Sequence, residues 1–135
     1  MIWKDAFSVG IEEIDNQHRE LLRLFSVVQD ALQAGKSWSE IHFAVLAIID
    51  FAHFHFQFEE ALMRLFAFPD LESHSKAHRN FRVQANAIVG DSLRDRTRED
   101  VAEFFGDWLV NHIQGADRAY AEHILGGATV VGKPI

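Results

Sequence analysis

The sequence predicts an all-α protein, an up-down-up-down four-helix bundle that follows an extended N-terminal arm. Two observations predict this fold: apolar residues recur at helical spacing in four long segments, and residues that start or stop helices separate them. The stretch 129–135 is the one candidate for a strand. Short connections between long amphipathic helices favour antiparallel neighbours, and a chain of 135 residues fits one domain, predicted to span 1–135.

The first helix is predicted at residues 15–34, after an arm that carries Trp3 and Phe7. Asp15 is expected to cap its start and Gly35 to end it. The apolar residues in between recur at helical spacing, at Leu21, Leu22, Phe25, Val28 and Leu32.

The second helix is predicted at residues 38–66 and begins with a capping box. In such a box the hydroxyl of Ser37 and the carboxylate of Glu40 each satisfy a backbone amide that has no partner in the helix. The apolar pattern then continues from Ile41, and Pro69 breaks the chain after the helix.

The third helix is predicted at residues 71–89 and the fourth at 98–125, with the polar stretch 90–96 between them. Thr97 is the residue type that starts a helix, and two glycines stop the fourth helix. Residues 126–135 depart from the helical pattern, and the sequence gives them no role.

The composition excludes several kinds of site. The chain has no cysteine, so any metal must bind nitrogen and oxygen ligands. Its formal net charge is -7 and its Lys and Arg residues are dispersed; because phosphate binding needs a basic face, we expect no nucleic-acid partner. No run approaches a membrane span, and the start lacks an apolar stretch of signal-peptide length. We therefore expect a cytoplasmic protein without membrane insertion. The net charge of -7 favours a monomer.

Histidines carry the functional signal. Three predicted helices each hold a pair of metal-ligating residue types, and the first helix adds one histidine. The seven candidate ligands are His18, His55, Glu59, His74, His78, His112 and Asp117. Residues at i and i+4 are offset by only about 40° around a helix, so the pairs of the second and third helices point inward together. The helix directions of an up-down bundle place all seven toward one end.

The pair on the fourth helix is spaced differently. His112 and Asp117 stand at i and i+5, about 140° apart on a regular α-helix. Convergence therefore requires a local π-bulge, which Gly115 would ease, or a carboxylate that reaches across.

Several short motifs accompany this array: Phe7-Ser8-Val9-Gly10, Ile14-Asp15-Asn16-Gln17-His18, His55-Phe56, Glu59-Glu60 before Leu62-Met63, and Trp108-Leu109 before His112. Together they resemble the hemerythrin family in its bacterial single-domain form, over about residues 3–120. The resemblance implies two non-haem iron ions joined by an oxide or hydroxide bridge, with molecular oxygen as the ligand.

By that resemblance the ligands divide into three sets: His74, His78 and His112 on one iron, His18 and His55 on the other, and Glu59 and Asp117 as bridges. Counting coordination positions leaves one vacancy, on the iron with two histidines. A single vacancy suits a small diatomic ligand. We therefore expect reversible oxygen binding, for storage, transport or delivery to an oxygen-consuming partner enzyme, rather than catalysis.

Other functions stay open. A di-iron oxidase or peroxidase-like enzyme is one alternative, although no histidine here has a glutamate three residues earlier, as carboxylate-rich di-iron sites do. An oxygen or redox sensor is another, although the sequence shows no output domain. A zinc or manganese hydrolase is the most distant, because nitrogen and oxygen ligands do not select one metal.

The remaining singled-out residues are expected to be ordinary. His42 and His53 match no ligand position, and His123 is expected to complement a helix C-terminus. Glu60 is expected to be solvated or a helix-surface partner, and Trp108 either lines the pocket or packs in the core. The phenylalanines expected in the core are Phe54, Phe56, Phe58, Phe81, Phe104 and Phe105.

Overall fold

A computed structural model describes residues 2–90 and 98–126. Over these residues the protein is all-helical, and the predicted four-helix bundle is confirmed. Its helices are α1 (Glu12–Gln33), α2 (Trp38–Leu65), α3 (Leu71–Val89), α4 (Arg98–Asn111) and α5 (Arg118–Leu125). A six-residue π-helix, His112–Asp117, joins α4 to α5, so that the two form one long helix. The possible strand at 129–135 lies outside the described residues, as does nearly all of the predicted tail.

Helix α1 begins three residues before the predicted start, and the prediction that Asp15 caps it is wrong. Ile11 is the N-cap and makes no side-chain capping bond. The carboxylate of Asp15 instead accepts hydrogen bonds from the Ser8 hydroxyl at 2.6 Å and the Val9 amide at 2.8 Å. An acid in the first turn therefore holds the N-terminal arm against the bundle.

Helix α2 begins as predicted. The Ser37 hydroxyl accepts from the Glu40 amide, and the Glu40 carboxylate accepts from the Ser37 amide, each at 3.2 Å. The capping box is thus confirmed. At the far end of α2, Nε2 of His123 donates to the Phe66 carbonyl at 2.8 Å, so His123 does complement a helix C-terminus, that of a neighbouring helix.

The bundle interior contains two apolar regions. The large apolar core is built from Phe7, Leu21, Leu22, Phe25, Val28, Leu32, Ile41, Val45, Ile48, Ala52, Phe56, Phe81, Ala85, Ile88, Val101, Phe105, Leu109 and Ile113. The small apolar cluster contains Val9, Ile14, Met63, Phe68, Tyr120 and Ala121. Phe54, which was expected in the core, is 51% exposed, because it lies on the face of α2 opposite its buried residues.

Helix α2 corrects the expectation that no run approaches a membrane span. By length and composition alone it could cross a membrane, and 39% of its most apolar window is buried in the protein. The same helix packs against α1 and α3 and buries the polar side chains of His55 and Glu59. These contacts are those of a bundle helix.

Candidate metal centre

The structure brings the seven predicted side chains together in one buried cluster. Each of them is at most 6% exposed. Their donor atoms form two groups within which all atoms lie inside 4.8 Å of one another. The first group contains His18, His55, Glu59, His112 and Asp117, and the second contains Glu59, His74, His78, His112 and Asp117. The two carboxylates belong to both groups, which is the arrangement that bridging ligands need.

The cluster lies between the two apolar regions, as the order of residues along α1 shows. Ile14 belongs to the small apolar cluster, His18 follows one turn later, and Leu21 belongs to the large apolar core. Along α2 the order is reversed because the helix runs the other way: Phe56 packs in the large core and Met63 in the small one. Apolar side chains therefore flank the cluster on both sides along the bundle axis.

The π-helix settles how His112 and Asp117 converge. The segment His112–Asp117 is a π-helix in the structure, as the i, i+5 spacing predicted, and both side chains are buried in the cluster. The extra residue in the turn brings them onto one face. Gly115 has open space where a Cβ would lie and no positive φ, so neither a close contact nor the backbone conformation requires glycine here. Its contribution to the π-helix is therefore its low preference for the regular α-helix.

The two carboxylates form the centre of the cluster, and the imidazoles surround them. All five histidines direct Nε2 at these oxygens. The shortest contacts are 2.5 Å from His18 to Asp117, 2.9 Å from His55 to Glu59, 3.2 Å from His74 to Asp117, 3.4 Å from His78 to Glu59 and 2.8 Å from His112 to Asp117.

Several polar atoms inside the cluster have no hydrogen-bond partner. Leaving such a buried atom unsatisfied costs about 1–3 kcal/mol, so proteins rarely do it without a reason. Among the candidate ligand atoms that face the cluster, the unpartnered ones are Nε2 of His55, His74 and His78, Oε2 of Glu59 and Oδ1 of Asp117. Because these are nitrogen and oxygen atoms that metal ions bind, and because they converge, the residues fit a metal site.

The electrostatics favour the metal-binding protonation states of two histidines and of Glu59, but they oppose ionisation of Asp117. Burial and the neighbouring His55 lower the pKa of His18 to about 2, and burial lowers the pKa of His74 to about 4. Both rings are therefore neutral at pH 7, and a neutral imidazole is the metal-binding form. Burial raises the pKa of Asp117 well above its usual value, and the Glu59 carboxylate adds to this. Burial also opposes ionisation of Glu59, but the surrounding imidazoles, His55 first, hold its pKa well below the usual value.

Two residues outside the cluster contact Nδ1 of its imidazoles, the ring nitrogen that faces away from the carboxylates. The sequence interpretation missed both contacts. Oε1 of Gln17 lies 2.7 Å from Nδ1 of His55. Oε2 of Glu60 lies 3.2 Å from Nδ1 of His78, and its other oxygen accepts from the Ser75 hydroxyl. Glu60 was expected to be solvated or a helix-surface partner; its side chain is 20% exposed and it is a partner of the neighbouring helix. Ser75 and His78 share one face of α3, and the packing of α3 on α2 brings this face to Glu60. No pattern within either helix alone pairs these residues.

Aromatic rings pack against the imidazoles of the cluster. The indole of Trp108 stacks on His112, with centroids 4.7 Å apart, and Phe56 stacks on His78 at 3.9 Å. Trp108 thus contacts both a cluster residue and the core. Tyr120, which the sequence interpretation did not single out, packs edge-on against the ring of His74. Its buried hydroxyl has no hydrogen-bond partner, and burial, with the nearby Glu59, raises its pKa, so it stays protonated.

The histidines set aside in the sequence do lie away from the cluster. His53 is exposed and its Nδ1 lies 3.3 Å from the guanidinium of Arg82. His42 packs against the ring of Phe43 near the start of α2. Three histidines of the eight in the chain are therefore outside the candidate metal centre.

Comparison with known proteins points to one family. Residues 9–124 match the family described as Hemerythrin HHE cation binding domain. The chain is 31% identical over 133 residues to a bacteriohemerythrin of Pseudomonas paraeruginosa, across 92% of this chain and 81% of that protein. It is 35% identical over 119 residues to a hemerythrin-like protein of Naegleria gruberi, across 87% and 88%. A bacteriohemerythrin of Clostridium acetobutylicum is 27% identical over 128 residues, across 90% and 98%.

Proposed function

The chain belongs to the hemerythrin family, and we propose that its buried cluster holds two non-haem iron ions and binds molecular oxygen reversibly. One observation carries this proposal: five imidazoles converge on two shared carboxylates in two overlapping groups of donor atoms. Two groups with shared carboxylates suit two metal ions, and the family membership favours iron among the metals that nitrogen and oxygen ligands accept. When bound, the two ferrous ions supply the electrons that oxygen binding requires.

The assignment of ligands to each ion follows the resemblance and the geometry together. His74 and His78 belong to one group of donor atoms, and His18 and His55 to the other. His112 belongs to both groups, so its placement beside His74 rests on the resemblance. Glu59 and Asp117 serve as the bridges.

The residues around the cluster favour binding over catalysis. Phe56 and Trp108 stack on imidazoles of the cluster, and Ile113 belongs to the large apolar core. We infer that this apolar surface disfavours water and suits a ligand as small as a diatomic molecule. Within the described residues, Glu59 and Asp117 are the carboxylates of the cluster and both face imidazoles. Neither is left as a general base. We therefore propose an oxygen carrier or store rather than an enzyme, acting as a cytoplasmic monomer.

The test is an oxygenation cycle. Protein loaded with ferrous iron under anaerobic conditions is exposed to oxygen and then to vacuum, while visible absorption and iron content are measured. We expect two irons per chain and colour that appears with oxygen and fades on its removal. Colour that persists after deoxygenation, or steady consumption of an added reductant, would contradict reversible binding and support the oxidase or redox-sensor alternatives.

A further inference from the structure

Two imidazoles of the cluster have hydrogen-bond partners of different chemistry at Nδ1, the ring nitrogen that faces away from the cluster. Nδ1 of His55 lies 2.7 Å from the amide oxygen of Gln17, and Nδ1 of His78 lies 3.2 Å from a carboxylate oxygen of Glu60. Neither an amide oxygen nor an ionised carboxylate has a proton to give. Nδ1 must therefore be the donor in both bonds.

These bonds fix the tautomer of both rings. A proton on Nδ1 leaves the lone pair on Nε2, which in both His55 and His78 is buried without a hydrogen-bond partner. The two Nε2 atoms lie 2.9 and 3.4 Å from Oε1 of Glu59, inside the cluster. The metal-binding tautomer is thus prepared by residues outside the cluster.

The two partners differ in charge and in how they are anchored. Gln17 is a neutral amide that in turn donates to Glu13 at 3.3 Å. Glu60 is a carboxylate whose second oxygen accepts from the hydroxyl of Ser75, and its side chain is 20% exposed. Hydrogen bonds to a charged group are about twice as strong as neutral ones, and a carboxylate behind an imidazole raises its basicity as a metal ligand.

We infer that Glu60, anchored by Ser75, is a positioning residue that sets the tautomer of His78 and strengthens its bond to a divalent metal ion. The charge of Glu60 adds to the difference that three histidines against two already make between the two metal positions: it tightens binding at the position that includes His78 and not at the position that includes His55. This inference rests on the proposed function only in requiring that the cluster holds metal.

The first experiment measures the tautomer without any metal. ¹⁵N NMR of the histidine rings in metal-free protein at a fixed neutral pH distinguishes Nδ1–H from Nε2–H. We expect Nδ1–H for His78 in the wild type and its loss in Glu60→Leu, while His55, held by Gln17, keeps Nδ1–H and serves as the internal control. An unchanged His78 signal in Glu60→Leu would overturn the positioning role.

The second experiment measures binding of Co²⁺ by its visible absorption. Glu60→Gln keeps an acceptor but removes the charge, and Glu60→Leu removes both. Since outer partners of ligating histidines contribute about 10–100-fold in metal affinity, we expect the tighter of two binding steps to weaken about 10-fold in Glu60→Gln and up to about 100-fold in Glu60→Leu. The weaker step should stay within about twofold in both variants, because the outer partner of His55 is Gln17 and not Glu60.

Two control variants sharpen the second experiment. Glu103→Gln removes a charge from an exposed residue of α4 and should leave both steps unchanged. Ser75→Ala keeps the Glu60 charge but removes its anchor, and should weaken the tighter step less than Glu60→Gln does. Two bound ions with unchanged affinities in all Glu60 variants overturn this inference alone. A wild type that binds no Co²⁺ contradicts the proposed metal centre as well.

Discussion

The large apolar core and the seven-residue cluster are built on the same helices but stabilised in opposite ways. The core is complete in itself: side chains such as Phe25 and Ile48, each 1% exposed, bury their surface against other apolar groups. The cluster buries charged and polar groups just as deeply, yet leaves several of their atoms without partners. The difference indicates which region a bound ligand would stabilise, since an apolar contact needs none.

The largest expected effect breaks the cluster and leaves the core. Glu59→Gln keeps the size of a side chain that contacts His55, His78 and His112 but removes a charge that both metal positions share. We expect iron content to fall from two per chain to nearly none while the far-UV circular dichroism stays helical. Glu103→Gln is the matched control. Retention of two irons in Glu59→Gln would refute the role of Glu59 as a bridge.

The reverse experiment weakens the core and leaves the cluster. Phe25→Ala should lower the free energy of unfolding by about 3–5 kcal/mol, because truncating a buried phenylalanine loses apolar contact and leaves a cavity. Urea denaturation measures this, and Val27→Ala, at a residue 45% exposed, should change it by less than about 0.5 kcal/mol. We expect both variants to bind two irons. A loss of iron in Phe25→Ala would show that the two regions are not independent.

Metal binding should stabilise the protein through the cluster. At a metal concentration about 100 times the dissociation constant, an ion that binds only the folded protein adds about 2.7 kcal/mol to the free energy of unfolding. Urea denaturation with and without Co²⁺ measures this gain. Because the gain needs the shared carboxylate, Glu59→Gln should show almost none of it; an equal gain in that variant would place the bound ion elsewhere.

A substitution in the π-helix has the smallest expected effect on stability. Gly115→Ala adds a methyl group where the structure has open space, so it should leave the metal content unchanged. It should raise the free energy of unfolding by about 0.5–1 kcal/mol, because glycine loses more backbone freedom on folding than alanine does. A loss of iron in this variant would mean that the π-helix depends on the low α-helix preference of glycine.

The parts of this structure that depend on spacing could be predicted from the sequence. Helical periodicity and the Ser37 capping box predicted the bundle, and the i, i+5 spacing of His112 and Asp117 predicted the π-helix. Features that depend on contacts between distant residues could not. Asp15 has the residue type of an N-cap, but its carboxylate accepts hydrogen bonds from the N-terminal arm instead.

Glu60 illustrates the same limit inside the candidate site. Next to Glu59 in sequence, it points about 100° away around α2, which in an isolated helix would place it in water. Packing of α3 beside α2 brings His78 and Ser75 to it, and no local pattern encodes that packing. Phe54 shows the opposite error, because its apolar character predicted burial on a face that no described helix covers.

Anomalous X-ray diffraction at the iron edge, from crystals loaded with ferrous iron, tests the metal centre most directly. The proposed function requires two anomalous peaks inside the cluster, with Glu59 and Asp117 in contact with both and the five histidines divided between them. One peak, or peaks that lie away from these two carboxylates, would contradict it.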